Sequence, residues 1–229
     1  MDEAAIIAAG ERESVYRFFA DLCLNPPSDS LVDMVRDGSI LSVFQGYDDG
    51  AAGFPWLSEF VKEAEGIPNL KDELEAEHTA MFVLPSGVLP HESAYLDKEK
   101  RVGGRFTESV RRFYENAGAP ILDACIQMPD HIGVELEFMA FLCRMEKELR
   151  ERAEYHFLHK CIDFQKSFME GHLSRWAYRC FDEISNQTEC RFYKALMYFM
   201  GKYLKSEEEY LATIHVTGGE GETTCVSVA

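Results

Sequence analysis

Apolar residues recur along this chain at three- and four-residue steps, the spacing of helices that bury one face. Gly10 to Leu24 places Val15, Phe18, Phe19 and Leu22 on such a stripe, and Pro26-Pro27 ends it because proline cannot continue the hydrogen-bond ladder. Ser28 offers an N-cap to a second helix with Leu31, Val32 and Val35 inward. Gly38 interrupts that stripe, which resumes at Ile40, Leu41, Val43 and Phe44. The glycines and aspartates of residues 46–53 mark a loop, and Pro55 opens a short helix holding Trp56, Leu57, Phe60 and Val61. From Pro68-Asn69 the pattern predicts one helix to about Leu84, with Leu70, Leu74, His78, Met81 and Phe82 inside and Pro85 as its stop.

Residues 85–104 break the pattern. They hold two prolines and three glycines without a sustained helical period, and a connection of this length without regular structure is uncommon and often functional. Thr107 then suits an N-cap for a helix with Val110, Phe113 and Tyr114, closed by Gly118 and Pro120. Asp130 suits the N-cap of the strongest helix, whose stripe is Ile132, Leu136, Met139, Leu142, Cys143 and Met145. Three more helices follow over about 154–170, 172–185 and 188–204, burying Phe157 and Phe164, then Trp176 and Phe181, then Phe192, Tyr193 and Phe199. Ser206 and Glu209 have capping-box spacing for a short last helix. No alternating strands occur at regular spacing and no repeat is visible, so the expected fold is all-α, about nine to ten helices over residues 1–211. The irregular 85–104 segment divides two halves, and a loose tail covers 212–229.

Charge narrows the function classes. The chain carries 23 basic against 40 acidic residues, net -17 over 229 residues, which argues against nucleic acid and against electrostatic attachment to anionic lipid. The Met1-Asp2-Glu3 start is acidic where a secretory signal needs basic residues, and no run approaches the ~20 apolar residues of a membrane span. The 7 cysteines form no CxC or CxxC pair, which predicts reduced thiols in the cytoplasm and neither a disulfide framework nor a cysteine metal site.

Catalytic signatures are sparse. No GxGxxG, Walker A loop, HExxH or Gly-x-Ser-x-Gly is present. Glu75 and His78 make one ExxH, too little for a di-iron bundle, which leaves a metal-binding reading on His78, Glu75 and His156. His156 and His159 sit one turn apart and read as solvent-facing. Asp130-His131 reads first as a helix start, then as part of a binding site, and last, with Ser93, as a hydrolase constellation lacking an oxyanion hole. The stretch 78–97, with its methionine, aromatics and two prolines, suits a wall for an amphipathic partner.

Two segments carry a family resemblance. Glu77-His78-Thr79-Ala80-Met81-Phe82-Val83-Leu84-Pro85, continued by Pro90 to Ser93 and Tyr95-Leu96-Asp97, resembles the TorD/DmsD family of redox-enzyme maturation chaperones. So does Met128-Pro129-Asp130-His131-Ile132-Gly133-Val134-Glu135-Leu136-Glu137-Phe138-Met139, and His172-Leu173 with Trp176 and Phe192 to Leu196 extend the match. The resemblance implies a non-enzymatic cytoplasmic chaperone without a bound cofactor, with weak GTP binding known among members and a monomer or domain-swapped dimer. Its partner would be the twin-arginine leader, and in some cases the core, of a DMSO-reductase-type molybdoenzyme, held until cofactor insertion and export. The implied leader-binding residues are His78, Met81, Phe82, Pro90, His91, Ser93, Tyr95, Gly104, Asp130 and His131. Relatives often carry tryptophan where this chain has His78, His91 and Tyr95, which implies a different client sequence.

Overall fold

The structure is a computed structural model that describes residues 3–47, 50–84, 87–119 and 128–214. Among the described residues it is all-α, with eleven α-helices and no strand. The two longest are α1 (Glu3–Leu24) and α11 (Arg191–Thr213), and α1 lies along α8 (Ile132–Glu151). Gly133 permits that approach, because a Cβ there would stand 2.6 Å from Leu24 Cγ. Short helices α2 (Asp29–Arg36), α3 (Ile40–Phe44) and α4 (Gly53–Ala64) connect α1 to α5 (Leu70–His78). Then come α6 (Glu92–Leu96), α7 (Arg105–Asn116), α8, α9 (Tyr155–Phe168), α10 (Ser174–Gln187) and α11.

Aromatic side chains fill two centres of the core. Phe44 stacks on Phe199 at 4.3 Å and Tyr16 meets Tyr203 edge-on at 5.0 Å, joining α1, α3 and α11. Phe138 contacts Tyr114 at 4.4 Å and Phe168 at 4.7 Å, joining α7, α8 and α9. Ser28 caps α2 as expected, accepting from the Leu31 N–H at 3.3 Å.

Several expectations are corrected. The predicted helix from Asn69 to Leu84 ends as α-helix at His78 and widens into a π turn over Thr79–Val83. Its mark is the Leu84 N–H, which reaches back five residues to the Thr79 carbonyl at 3.0 Å. Thr79 contributes locally, since its hydroxyl donates to the Glu75 carbonyl at 2.8 Å and such back-bonding bends helices. A second π turn, Met169–Leu173, joins α9 to α10 where the pattern predicted two separate helices. The predicted short last helix is absorbed into α11, because Ser206 donates to the Tyr203 carbonyl and leaves the helix unbroken. Helix α7 starts at Arg105 after Gly104, whose φ of +79° supplies the turn, so Thr107 lies inside the helix and does not cap it. Phe157 is exposed, and α9 buries Leu158, Cys161 and Ile162 instead. The segment 85–104 is not wholly irregular, since α6 lies within it. Residues Cys125 and Cys225, and the expected tail beyond residue 214, lie outside the described residues; the other five thiols are unbridged, four of them buried.

Candidate functional site

The polar centre of the molecule is built where the segment before α6 crosses the start of α8. The Glu92 N–H donates to the Asp130 carbonyl at 2.9 Å and the Ile132 N–H to the Pro90 carbonyl at 2.8 Å. These two bonds pair His91 with His131 in an antiparallel bridge and pin residues 90–92 against 130–132. The Asp130 carboxylate then accepts from the Ser93 N–H at 3.0 Å, and the Ser93 hydroxyl accepts from the Gly103 N–H at 2.9 Å. One carboxylate thus anchors α6 and, through Ser93, the glycine pair that opens α7. The expected Asp130 cap is corrected: its carboxylate is engaged by Ser93, and the N-cap of α8 is His131, whose Nδ1 accepts from the Gly133 N–H at 3.1 Å.

Both side chains are buried, and both titrate below their usual ranges. Burial pushes the His131 ring down to about 3 with help from the nearby His91 charge, so it is neutral at pH 7 and its Nδ1 is free to accept. Burial would raise the Asp130 carboxyl, but the His91 ring with the Ser93 hydroxyl and N–H hold it down to about 2. His91 Nδ1 stands 3.8 Å from Asp130 Oδ1, an ion-pair distance too long for a hydrogen bond.

A second buried cluster adjoins it. Glu92 Oε2 meets His172 Nδ1 at 2.8 Å, and His172 sits on the π turn Met169–Leu173. The Trp176 indole N–H donates to Glu135 Oε2 at 3.1 Å, while Glu135 Oε1 is buried without a partner. Burial, then the adjacent Glu92 charge, push the Glu135 carboxyl well above the usual carboxylate range. Trp176 also packs on Tyr95 at 5.4 Å between ring centroids, and the Tyr95 hydroxyl donates to Glu183 at 2.9 Å.

The arrangement can be set beside known proteins. A profile of the nitrate reductase delta subunit family matches residues 45–182, which runs from α4 into α10 and takes in the whole polar centre. The chain belongs to this family. Its members are TorD-type maturation chaperones, and the similar sequences agree with that. The chaperone protein TorD of Vibrio parahaemolyticus is 20% identical over 206 residues, 88% of this chain and 94% of that protein. TorD of Aliivibrio salmonicida is 25% identical over 161 residues, 68% of this chain and 74% of its own. A selenate reductase assembly chaperone protein of Thauera selenatis is 31% identical over 110 residues, 46% of this chain and 54% of its own. A solved Archaeoglobus fulgidus structure, described as a candidate redox enzyme maturation protein, overlays with a TM-score of 0.44 at 16% identity, covering 88% of this chain and 94% of that one.

In this family member the residues expected at the site separate into two kinds. His78, Met81, Phe82, Pro90, Ser93, Asp130 and His131 are buried. His91 and Tyr95 are half-buried, and Gly104 is exposed. The sequence reading missed Val83 and Leu84, 55% and 47% exposed at the end of the π turn, although an apolar run continuing past the inner stripe up to Pro85 is a legible signal. It also missed Glu92, Glu135, His172 and Trp176 as one cluster. For Glu135 the signal was a carboxylate on the apolar stripe of α8, one turn from Ile132 and from Met139.

The two alternative readings do not assemble. The hydrogen bonds of Ser93 run to Asp130 and Gly103 and that of His131 to Gly133, so the hydrolase constellation is not aligned, and its three side chains are fully buried. Among the described residues no group of three or more metal-ligating side chains converges; Glu75 faces Lys71 at 3.8 Å and His156 packs on Phe157. No described helix is long and apolar enough to cross a membrane.

Proposed function

We propose that this chain is a cytoplasmic chaperone that holds the twin-arginine leader of a DMSO-reductase-type molybdoenzyme precursor until its cofactor is inserted and the enzyme is exported. The observation that carries this reading is the exposed apolar pair Val83-Leu84, with half-buried His91 and Tyr95 close in sequence. A leader offers an apolar stretch after a basic start. The pair supplies an apolar contact at roughly 25 cal/mol per Å2 buried, and net charge -17 attracts the basic start. Asp130 and His131 act from beneath, holding α6 and the chain around it in register. The relatives named above as TorD and as a selenate reductase assembly chaperone support the client class.

Titration calorimetry with a leader peptide of a molybdoenzyme encoded beside the gene tests this. The expected result is binding near the micromolar range, about -8 kcal/mol, weakened at least about tenfold by Leu84→Asp. Equal affinity of Leu84→Asp and wild type would remove the Val83-Leu84 surface from the reading. A folded wild type that binds no leader would overturn it.

A further inference from the structure

Positive charge in this acidic chain is concentrated in one place. Residues 97–112, from the end of α6 through most of α7, hold six of the 23 basic residues against three of the 40 acidic ones, net +3, while the rest of the chain carries -20. All six cations are exposed: Lys98, Lys100 and Arg101 on the loop, Arg105, Arg111 and Arg112 on α7. The three acids do not neutralise them. Glu108 is shared between Arg111 and Arg112, and Arg101 meets Glu99 at 3.4 Å and Asp97 at 3.8 Å. Lys98, Lys100 and Arg105 have no ion-pair partner among the described residues. Loop and helix act as one field at Asp97, whose carboxyl is held below its usual range first by the Glu99 N–H and then by the Arg101 N–H and the Arg101 and Arg105 charges. The loop is held in one shape: Asp97 Oδ1 accepts from the Glu99 N–H at 2.8 Å, the Asp97 carbonyl from the Lys100 N–H at 3.1 Å, and the Ser93 hydroxyl from the Gly103 N–H at 2.9 Å. Apolar surface is interleaved with the cations. Val102 is 38% exposed, the Arg105 guanidinium lies over the Phe106 ring at 4.7 Å, and Arg105, Arg112 and Phe113 line a hollow of about 370 Å3 along α7.

We propose that the loop 97–104 and the face of α7 carrying Arg105 and Arg112 form a docking surface for an acidic segment of a partner polypeptide, one whose carboxylates flank an apolar side chain. This surface goes beyond the leader-binding reading and does not rest on it, because a basic leader start is repelled here. Charge fixes the sign of the partner, and size fixes its kind. Helix α7 has 12 residues and is about 18 Å long, the reach of about five or six extended residues. A nucleic-acid duplex or an anionic membrane extends well past that length and meets the repulsion of the remaining -20. A free phosphate pairs with the guanidinium groups but leaves Val102 and Phe113 unused, whereas a peptide covers both. Arginine forks suit carboxylates, and a loop already fixed by its own hydrogen bonds has little ordering left to lose on binding. Each exposed pair is individually weak, so the surface acts through several at once and its affinity falls with salt.

The test uses the full chain and the fluorescence anisotropy of two labelled peptides. One has about three glutamates on each side of a leucine, and the other has glutamines in their place. The patch variant is Lys98→Glu with Arg105→Glu, both exposed and unpaired; the second change puts an acid in the first turn of α7, where the helix dipole favours it. The control variant is Lys62→Glu with Lys160→Glu, also exposed, on α4 and α9, with the same change in net charge. Helicity and melting temperature establish that each variant is folded. The wild type is expected to bind the glutamate peptide about fivefold or more tightly than the glutamine peptide, and to lose about tenfold between about 0.02 and 0.2 M salt. The patch variant is expected to lose about fivefold or more for the glutamate peptide and the control less than about twofold. Equal losses in patch and control variants, equal binding of the two peptides, or no binding of the glutamate peptide by the wild type would overturn the proposal. Displacement of the peptide by inorganic phosphate or by a short DNA duplex at matched ionic strength would also overturn it, since the surface would then be a general anion site.

Discussion

Helix α8 carries two fully buried glutamates whose surroundings are opposite. Glu146, near its C-terminal end, has both oxygens engaged: Arg12 at 2.8 Å and Gln165 at 2.9 Å on one, Arg150 at 2.7 Å on the other. Arg12 in turn bonds Glu207 at 2.9 Å and Gln165 at 2.6 Å, and its guanidinium lies over the Tyr210 ring. This network ties α1, α8, α9 and α11 together. Glu135, near the N-terminal end, meets one indole N–H and the acids Glu92 and Asp130, and half of its carboxyl is unpartnered. His131 Nε2, Asp130 Oδ1 and His91 Nδ1 are likewise buried without hydrogen bonds. A satisfied buried network holds helices in one arrangement, whereas a partly satisfied one carries a standing cost. Fold-holding charge is therefore gathered at one end of α8 and the incompletely paired carboxyl and imidazole groups at the other.

The largest expected effect tests the closed end. Arg12→Ala strands Glu146 and Glu207 inside the core and should cost about 3–5 kcal/mol in urea unfolding, the range for breaking a buried ion pair. A loss under about 1 kcal/mol would erase the contrast. At the open end, Asp130→Ala removes the acceptor of the Ser93 N–H and should cost about 2 kcal/mol near neutral pH. Because the folded carboxyl sits near 2, below its unfolded value of about 3.9, that contribution is present above about pH 4 and fades as pH falls through 2. Urea midpoints from pH 7 to 2 should show wild type and variant converging.

Two further effects have opposite signs with pH. His131 titrates near 3 when folded and about 6.5 when unfolded, so the wild type loses stability as pH drops below about 6.5, by at most about 1.4 kcal/mol per pH unit. His131→Asn keeps an N-cap acceptor and should flatten that slope; an unchanged slope would place the titration elsewhere. Glu135 has its folded value raised above the unfolded carboxyl near 4.3, so its favourable contribution is complete below about pH 4 and is lost as pH rises. Glu135→Gln keeps an acceptor for Trp176 and should gain on the wild type as pH climbs from 4 to 8. A parallel pair of stability curves would show that Glu135 is not protonated. The smallest effect belongs to the surface: Leu84→Asp, expected to weaken leader binding, should shift unfolding by no more than about 0.5 kcal/mol.

Much of the fold was legible because helices answer to local pattern. The stripes of α1, α2, α4 and α8, the Ser28 cap and the stop before residue 28 follow from residues a few positions apart. The family resemblance was legible for a related reason, since its residues lie in two short runs around 77–97 and 128–139. The failures were also local in character. Both π turns insert one residue per turn into an otherwise helical pattern, which apolar spacing reads as ordinary helix. The Ser206-Glu209 spacing imitates a start that α11 ignores, because Tyr203 and Glu207 face inward toward Arg12.

The sequence by itself determined the helical character of the chain, many of its boundaries and the chemistry available: acid excess, free thiols, an apolar run before Pro85. Those are properties of neighbours along the chain, where period and capping act. Only the tertiary structure decided which side chains meet and which remain exposed. It set Glu92 against His172, 80 residues away, and Arg12 against Glu207, 195 residues away. It turned Met81 and Phe82 inward while leaving Val83 and Leu84 in water. Burial and charge pairing depend on how helices pack, and protonation follows from them, so two glutamates on one helix acquired opposite roles.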